Sequence, residues 1–202
     1  MNYLDLFVQI LTGVLSFFFY FKNKTKFLLL LTILTVLTGI VESFGEYTVL
    51  SGKSSFFLYH IFSLIQFSII FMIYVFLIKD SFFKKVFSFL HFLFFCFWGV
   101  IFFKGELFFY LIIFGAFNTS FYVLIYLRSI LMSDKILNYK ELLPFWVSVG
   151  FLVFHLPSIP FFTLFGQMQN RGLFFILNIL VILMNLFIIY GLLCSKKEEK
   201  YL

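Results

Sequence analysis

Seven long apolar runs, each bounded by charged or turn-forming residues, make up most of this chain. They cover about residues 3–21, 27–50, 56–78, 86–103, 107–127, 142–165 and 173–194. Each run is close to the roughly 20 residues that an α-helix needs to cross the apolar part of a bilayer. Lipid offers the backbone no hydrogen-bond partners, so such runs must be helical. The sequence therefore predicts an all-α, polytopic membrane protein built as a seven-transmembrane-helix bundle.

The composition agrees with that class and limits what else the chain can contain. Apolar residues make up 63% of the 202 residues and charged residues 12%, about half the charge of a typical soluble domain. We therefore expect a single membrane domain over residues 1–194 and a short cytoplasmic tail over 195–202. Asp5 and the lack of a basic segment before the first run favour a first helix over a signal peptide. No part remains for a soluble catalytic or nucleic-acid-binding domain.

The chain contains 37 phenylalanines and a single alanine, Ala116. Helices in membranes usually approach each other through small residues. With alanine almost absent, we expect glycine, serine and threonine to provide the close helix contacts.

Basic residues alternate between the connections and so predict the orientation. Twelve follow the odd-numbered runs: Lys22, Lys24, Lys26, Lys79, Lys84, Lys85, Arg128, Lys135, Lys140, Lys196, Lys197 and Lys200. Three lie in the other connections: Lys53, Lys104 and Arg171. Because cytoplasmic loops of membrane proteins are enriched in Lys and Arg, the N-terminus is expected outside and the C-terminus in the cytoplasm.

Polar residues inside the runs indicate where chemistry could occur. Glu42 and Glu46 are four residues apart and so share a helix face. A charge facing lipid at mid-depth costs about 3 kcal/mol even on the lenient insertion scale, so this face should point into the bundle. His60, Gln66, His155 and Asn178 map to the same outer half of the bilayer. These six residues form a hypothetical outward-facing pocket, bounded by the second, third, sixth and seventh helices.

The sixth run contains Pro157 and Pro160 close to His155. Pro157 removes a backbone donor, which should free the carbonyl of Val153 and kink the helix. Alternative interpretations stay open for each candidate. Glu46 lies near enough to the helix end to reach the headgroups, His155 can bond the freed carbonyl, and a single Asn or Gln often only links two helices.

Several activities lack the residues that they require. The seventh run has no lysine for a retinal Schiff base. His91 lies far in depth from His60, and the two cysteines, Cys96 and Cys194, carry no metal-binding spacing, so no cofactor and no metal are expected. An intramembrane hydrolase is therefore only the third-ranked hypothesis.

The topology, the short connections and segments such as Leu58-Tyr59-His60-Ile61-Phe62-Ser63 resemble the seven-helix sensor modules associated with bacterial histidine kinases, over about residues 1–194. The resemblance implies a bacterial inner-membrane protein that binds a small ligand or ion. Because only Ser195 to Leu202 follow the last run, a signalling role would need a separate partner protein. The leading hypothesis is thus a non-enzymatic sensor-like or accessory protein in the lipid bilayer. The alternative is a small-solute or proton-coupled transporter that uses Glu42 and Glu46.

The orientation leads to a labelling prediction. Cysteines introduced at Ser54 and Asn170 should react with an impermeant maleimide added outside intact cells, whereas one at Ser81 should not. Labelling of the cysteine at position 81 from outside would refute the assigned orientation.

Overall fold

The computed structural model describes residues 4–102, 107–133, 139–164 and 174–194. These residues form seven α-helices: α1 (Leu4–Asn23), α2 (Lys26–Leu50), α3 (Phe56–Leu77), α4 (Ser81–Phe102), α5 (Phe108–Leu131), α6 (Leu143–Leu164) and α7 (Phe174–Cys194). All seven are long and apolar enough to cross a membrane. The structure therefore confirms the predicted all-α fold and the seven helices of membrane-spanning length and composition. The predicted tail, 195–202, and the loops that hold Lys104, Lys135 and Arg171 lie outside the described residues.

Two helices extend further than the hydropathy pattern predicted. α4 begins at Ser81 instead of about 86, because Asp80 accepts a hydrogen bond from the backbone of Phe82 at 2.8 Å and so caps the helix start. α5 continues past 127 to Leu131, with Arg128 in its last turn, where a cation is favourable. Charged side chains at these ends can lie along the helix while their head groups stay in water.

Very short connections make consecutive helices antiparallel. Only Lys24 and Thr25 separate α1 from α2. Lys24 has a φ of 41°, in the left-handed region, and the Thr25 hydroxyl caps α2 by accepting from the backbone of Leu28 at 3.2 Å. We call the end of the bundle where α1 begins the amino end, and the end where α7 finishes the carboxyl end.

Six of the helices form a closed ring. α1 packs on α2, α2 on α3, α3 on α5, α5 on α6, α6 on α7, and α7 returns to α1. α4 lies outside this ring against α3 and α5. Its buried residues, Phe87, Phe94 and Ile101, are seven positions apart and thus form one narrow stripe. The ring interior is therefore the place where polar groups of several helices can meet.

Glycine, serine and threonine form the close contacts between α1 and α2, as expected for a chain with a single alanine. The hydroxyls of Ser16 and Thr35 are 2.7 Å apart, and Thr32 donates to the Ser16 carbonyl at 3.0 Å. At Gly13, an added Cβ would already lie 3.4 Å from the Thr35 carbonyl oxygen. Gly150 has the same role between α6 and α7, where a Cβ would lie 2.8 Å from the carbonyl oxygen of Met184.

The carboxyl half of the ring interior is tightly packed and largely apolar. Its fully or nearly fully buried side chains come from α2, α3, α5, α6 and α7: Phe27, Leu31, Ile73, Tyr74, Val123, Leu143, Val147 and Leu192. The Tyr74 hydroxyl is satisfied by Ser148 at 2.9 Å, which links α3 to α6. The buried hydroxyls of Ser16 and Thr32 are likewise hydrogen-bonded between α1 and α2, whereas Glu42, Gln66 and His155 lie in the middle of the bundle or toward the amino end.

The contact at Gly150 leads to a stability prediction. Gly150→Ala should lower the free energy of unfolding by about 1–3 kcal/mol, because the new methyl group meets backbone that cannot move aside. Gly99→Ala is the matched control, since no atom lies within 4 Å of a Cβ there. Its higher helix propensity should leave stability equal or slightly greater. Thermal unfolding in detergent measures both variants, and equal melting temperatures would contradict the packing at Gly150.

Candidate functional site

Glu42 of α2 and Tyr59 of α3 form a polar pair toward the amino end. The Tyr59 hydroxyl donates to Glu42 Oε2 at 3.0 Å, and both side chains are half-buried. Gly45, one turn along α2, makes room for the tyrosine, because a Cβ at this position would overlap the Tyr59 hydroxyl. A tyrosine one helix away therefore satisfies the carboxyl group that the sequence singled out.

Two further carboxyl groups lie close enough to interact electrostatically with Glu42. One belongs to Glu46, on the next turn of α2, and the other to Asp5 of α1. Oδ1 of Asp5 is buried and has no hydrogen-bond partner among the described residues. Asp5, Glu42, Glu46 and Tyr59 are called the carboxylate site below. The amino end of the bundle thus brings three acidic side chains near one another.

A small central cavity lies at mid-height of the ring. Its volume is about 30 Å³, and its polar lining comes from α1, α2, α3, α6 and α7: Gln9, Thr35, Thr38, Gln66, His155 and Asn185. Leu34, Ile70, Phe151, Met184 and Ile188 complete the wall. Of the residues predicted for a shared pocket, Gln66 and His155 thus meet here. This volume is enough for about one water molecule.

His60 lies in different surroundings from Gln66 and His155. Its ring stacks between Phe56 and Trp98, with centroid distances of 5.7 and 5.0 Å, and Phe102 and Phe108 also contact it. The Trp98 indole donates to the His60 carbonyl at 2.9 Å. Both ring nitrogens are buried without a hydrogen-bond partner in the described part of the chain. This aromatic cage belongs to α3, α4 and α5, and His60 does not line the central cavity.

The remaining predicted residues occupy less enclosed positions. Asn178 is half-buried on α7 and does not line the central cavity. Pro157 and Pro160 face outward from α6, which stays helical through both of them. Next to them the Ser158 hydroxyl donates to the His155 carbonyl at 2.8 Å. The kink itself stays a prediction.

The predicted pocket did not include four polar residues that line the central cavity: Gln9, Thr35, Thr38 and Asn185. The first helix was left out of the predicted pocket, although Asp5 and Gln9 are four residues apart and share one face. Glu42 and Glu46 of the second helix have the same four-residue spacing. Among the described residues, no three His, Cys, Asp or Glu side chains lie close enough together to hold a metal ion.

Comparisons of this chain with protein-family models, with curated proteins and with solved structures gave no match.

The pair of Glu42 and Tyr59 can be tested by a double-mutant cycle. Tyr59→Phe should cost about 1–2 kcal/mol of unfolding free energy, since it leaves the carboxyl group without this donor. In the Glu42→Gln background the same change should cost clearly less, because the charged acceptor is gone. Tyr47→Phe, at an exposed tyrosine of α2, should have no measurable effect. Equal costs of Tyr59→Phe in both backgrounds would contradict the hydrogen bond.

Proposed function

We propose that this multi-pass membrane protein is a non-enzymatic, sensor-like or accessory protein that binds a small cationic or polar ligand at the carboxylate site. The observation that carries the proposal is the polarity of the ring interior. Glu42 and Tyr59 form a polar pair toward the amino end, and polar side chains line the central cavity, whereas the carboxyl half is packed with fully buried apolar side chains whose few hydroxyl neighbours are hydrogen-bonded. Half-buried carboxyl groups at one end of a bundle whose other half is packed suit recognition.

Charge supports placing the amino end outside. Within the described residues, basic side chains at the carboxyl end include Lys22, Lys24, Lys26, Lys79, Lys84, Lys85, Arg128 and Lys140, while the amino end has Lys53. By the positive-inside rule the carboxyl end then faces the cytoplasm, and the carboxylate site faces outward. We propose a bacterial inner membrane as the location and a separate signalling protein as the partner, in line with the sensor-module resemblance.

The chemistry of the carboxylate site favours a cationic ligand. Asp5, Glu42 and Glu46 interact electrostatically, and bringing carboxylates together is unfavourable unless a cation or a proton compensates their charge. In surroundings less polar than water such an interaction is stronger than at an open surface. Small amines with hydrogen-bond donors therefore fit the site better than anions or sugars.

A proton-coupled transporter is the second candidate. The observation that favours it is the half-buried Glu42 itself, since carboxyl groups inside a membrane commonly serve proton relays. Transport would require the carboxyl half to open, including the contact between Tyr74 and Ser148. A sensor needs no such opening.

Binding and flux measurements separate these two functions. We expect one or more small amines from a defined panel to raise the melting temperature of the purified protein. Glu42→Gln should remove this stabilisation, and Asp80→Asn, at the opposite end of the bundle, should retain it. Proteoliposomes should take up neither the stabilising amine nor protons above the level of empty liposomes.

Glu42-dependent uptake would contradict the sensor proposal and support the transporter. Stabilisation that is equal in the wild type and in Glu42→Gln would contradict the assignment of the ligand to the carboxylate site.

A further inference from the structure

We propose that the central cavity binds one dehydrated monovalent cation of about the size of Na⁺. An ion in the central cavity is compatible with both a sensor and a transporter. It is a second site, distinct from the carboxylate site of the proposed function. Three observations support it. They are the size of the cavity, the hydrogen bonds that some of its polar side chains already donate, and the carboxyl groups that lie one helical turn closer to the amino end.

The size excludes most other ligands. With about 30 Å³, the cavity has room for roughly one water molecule or one bare monovalent ion. An amino acid, a sugar or a hydrated ion would not fit. Five of the six ring helices contribute to the wall, so an occupant would contact most of the bundle at once.

Three of the polar side chains around the cavity have already used a donor. The Thr38 hydroxyl donates to the Leu34 carbonyl at 2.8 Å, and the Asn185 amide donates to Val181 at 2.8 Å. The Thr35 hydroxyl donates to the Leu31 carbonyl at 3.0 Å. The side-chain oxygens of these three residues still have lone pairs with which they could bind an occupant. Oxygen ligands are the ones that hard cations prefer.

The side chain of Gln9 provides the cavity wall with a further oxygen atom. Its side chain is 8% exposed, and Oε1 is buried without a hydrogen-bond partner among the described residues. Buried polar atoms of native proteins almost always have a partner, and one without it indicates a missing water or ion. Because Gln9 also lines the cavity, an occupant of the cavity is a candidate partner for this oxygen.

Negative charge favours an ion over a neutral water molecule. Asp5 lies one turn from Gln9 on α1, and Glu42 lies one turn from Thr38 on α2. Both carboxyl groups are displaced toward the amino end, and no lysine or arginine of the described residues lines the cavity. Among those same residues His155 is the one titratable side chain in the wall, and as a neutral imidazole it is compatible with a cation. The carboxylates thus reduce the cost of placing a positive charge inside the bundle.

Thermal unfolding in matched salts tests this proposal. The purified protein should melt about 5 °C higher in NaCl than in choline chloride of equal concentration, since choline is too large for the cavity. Equilibrium binding of radioactive Na⁺ to the same preparation should approach one ion per chain.

Three variants assign the effect to the cavity. Gln9→Leu should abolish both the salt-specific stabilisation and Na⁺ binding. Gln9→Glu should strengthen Na⁺ binding by roughly tenfold, because it adds a charged oxygen at nearly the same position. Asn178→Leu is the matched control on α7 and should behave as the wild type.

Equal melting in both salts with no Na⁺ bound would overturn the proposal and leave a cavity that holds water only. Na⁺ binding that survives Gln9→Leu unchanged would also overturn it. Neither outcome affects amine binding at the carboxylate site, which depends on Glu42, so the two proposals can fail separately.

Discussion

Each polar group inside this bundle must find its hydrogen-bond partner within the protein, because the surrounding lipid offers none. Most serine and threonine hydroxyls meet this requirement by donating to a carbonyl three or four residues earlier in their own helix, as Thr12, Ser43, Ser63 and Ser120 do. Such residues can then pack as small, almost apolar groups. The alanine-poor sequence depends on this property for its closest helix contacts.

Other polar side chains of the described helices have no hydrogen-bond partner within their own helix. Glu42 takes its donor from Tyr59 on the next helix. Within the part of the chain that the structure describes, Gln9 and Asp5 each have an oxygen without a hydrogen-bond partner, and both ring nitrogens of His60 in its aromatic cage also lack one. An unpartnered buried group costs about 1–3 kcal/mol. These residues lie in the middle of the bundle or toward the amino end.

The sequence predicted those properties that depend on position along a helix. Helix number, approximate bounds and the role of small residues follow from hydropathy and composition, and they agree with the structure. Gln66 and His155, which the sequence places at similar depth, both line the central cavity, whereas His60 and Asn178 do not. Helix ends at Ser81 and Leu131 were misjudged because capping groups and charged side chains extend a helix beyond its apolar run.

Lateral neighbours could not be predicted from one sequence. A helical wheel gives the angle between His60 and Gln66 but not which neighbouring helix each one faces. In the structure α4 lies outside the ring, so His60 faces the rings of α4 and α5 while Gln66 faces the centre. Likewise nothing in the sequence indicates that α7 packs on α1 and thereby brings Gln9 and Asn185 to the same cavity.

We expect the middle of the bundle to admit water and the carboxyl half to exclude it, a contrast that X-ray hydroxyl-radical footprinting measures because its radicals form from water beside the labelled residue. Met184 lines the central cavity, whereas Tyr74 is fully buried in the apolar half and Met72 is exposed on the outer, lipid-facing surface of α3. In lipid nanodiscs in choline chloride, where no Na⁺ competes with water for the cavity, we expect rapid oxidation of Met184, slower oxidation of Met72 and little modification of Tyr74. Protection of Met184 equal to that of Tyr74 would show that the cavity is dry and would contradict this account.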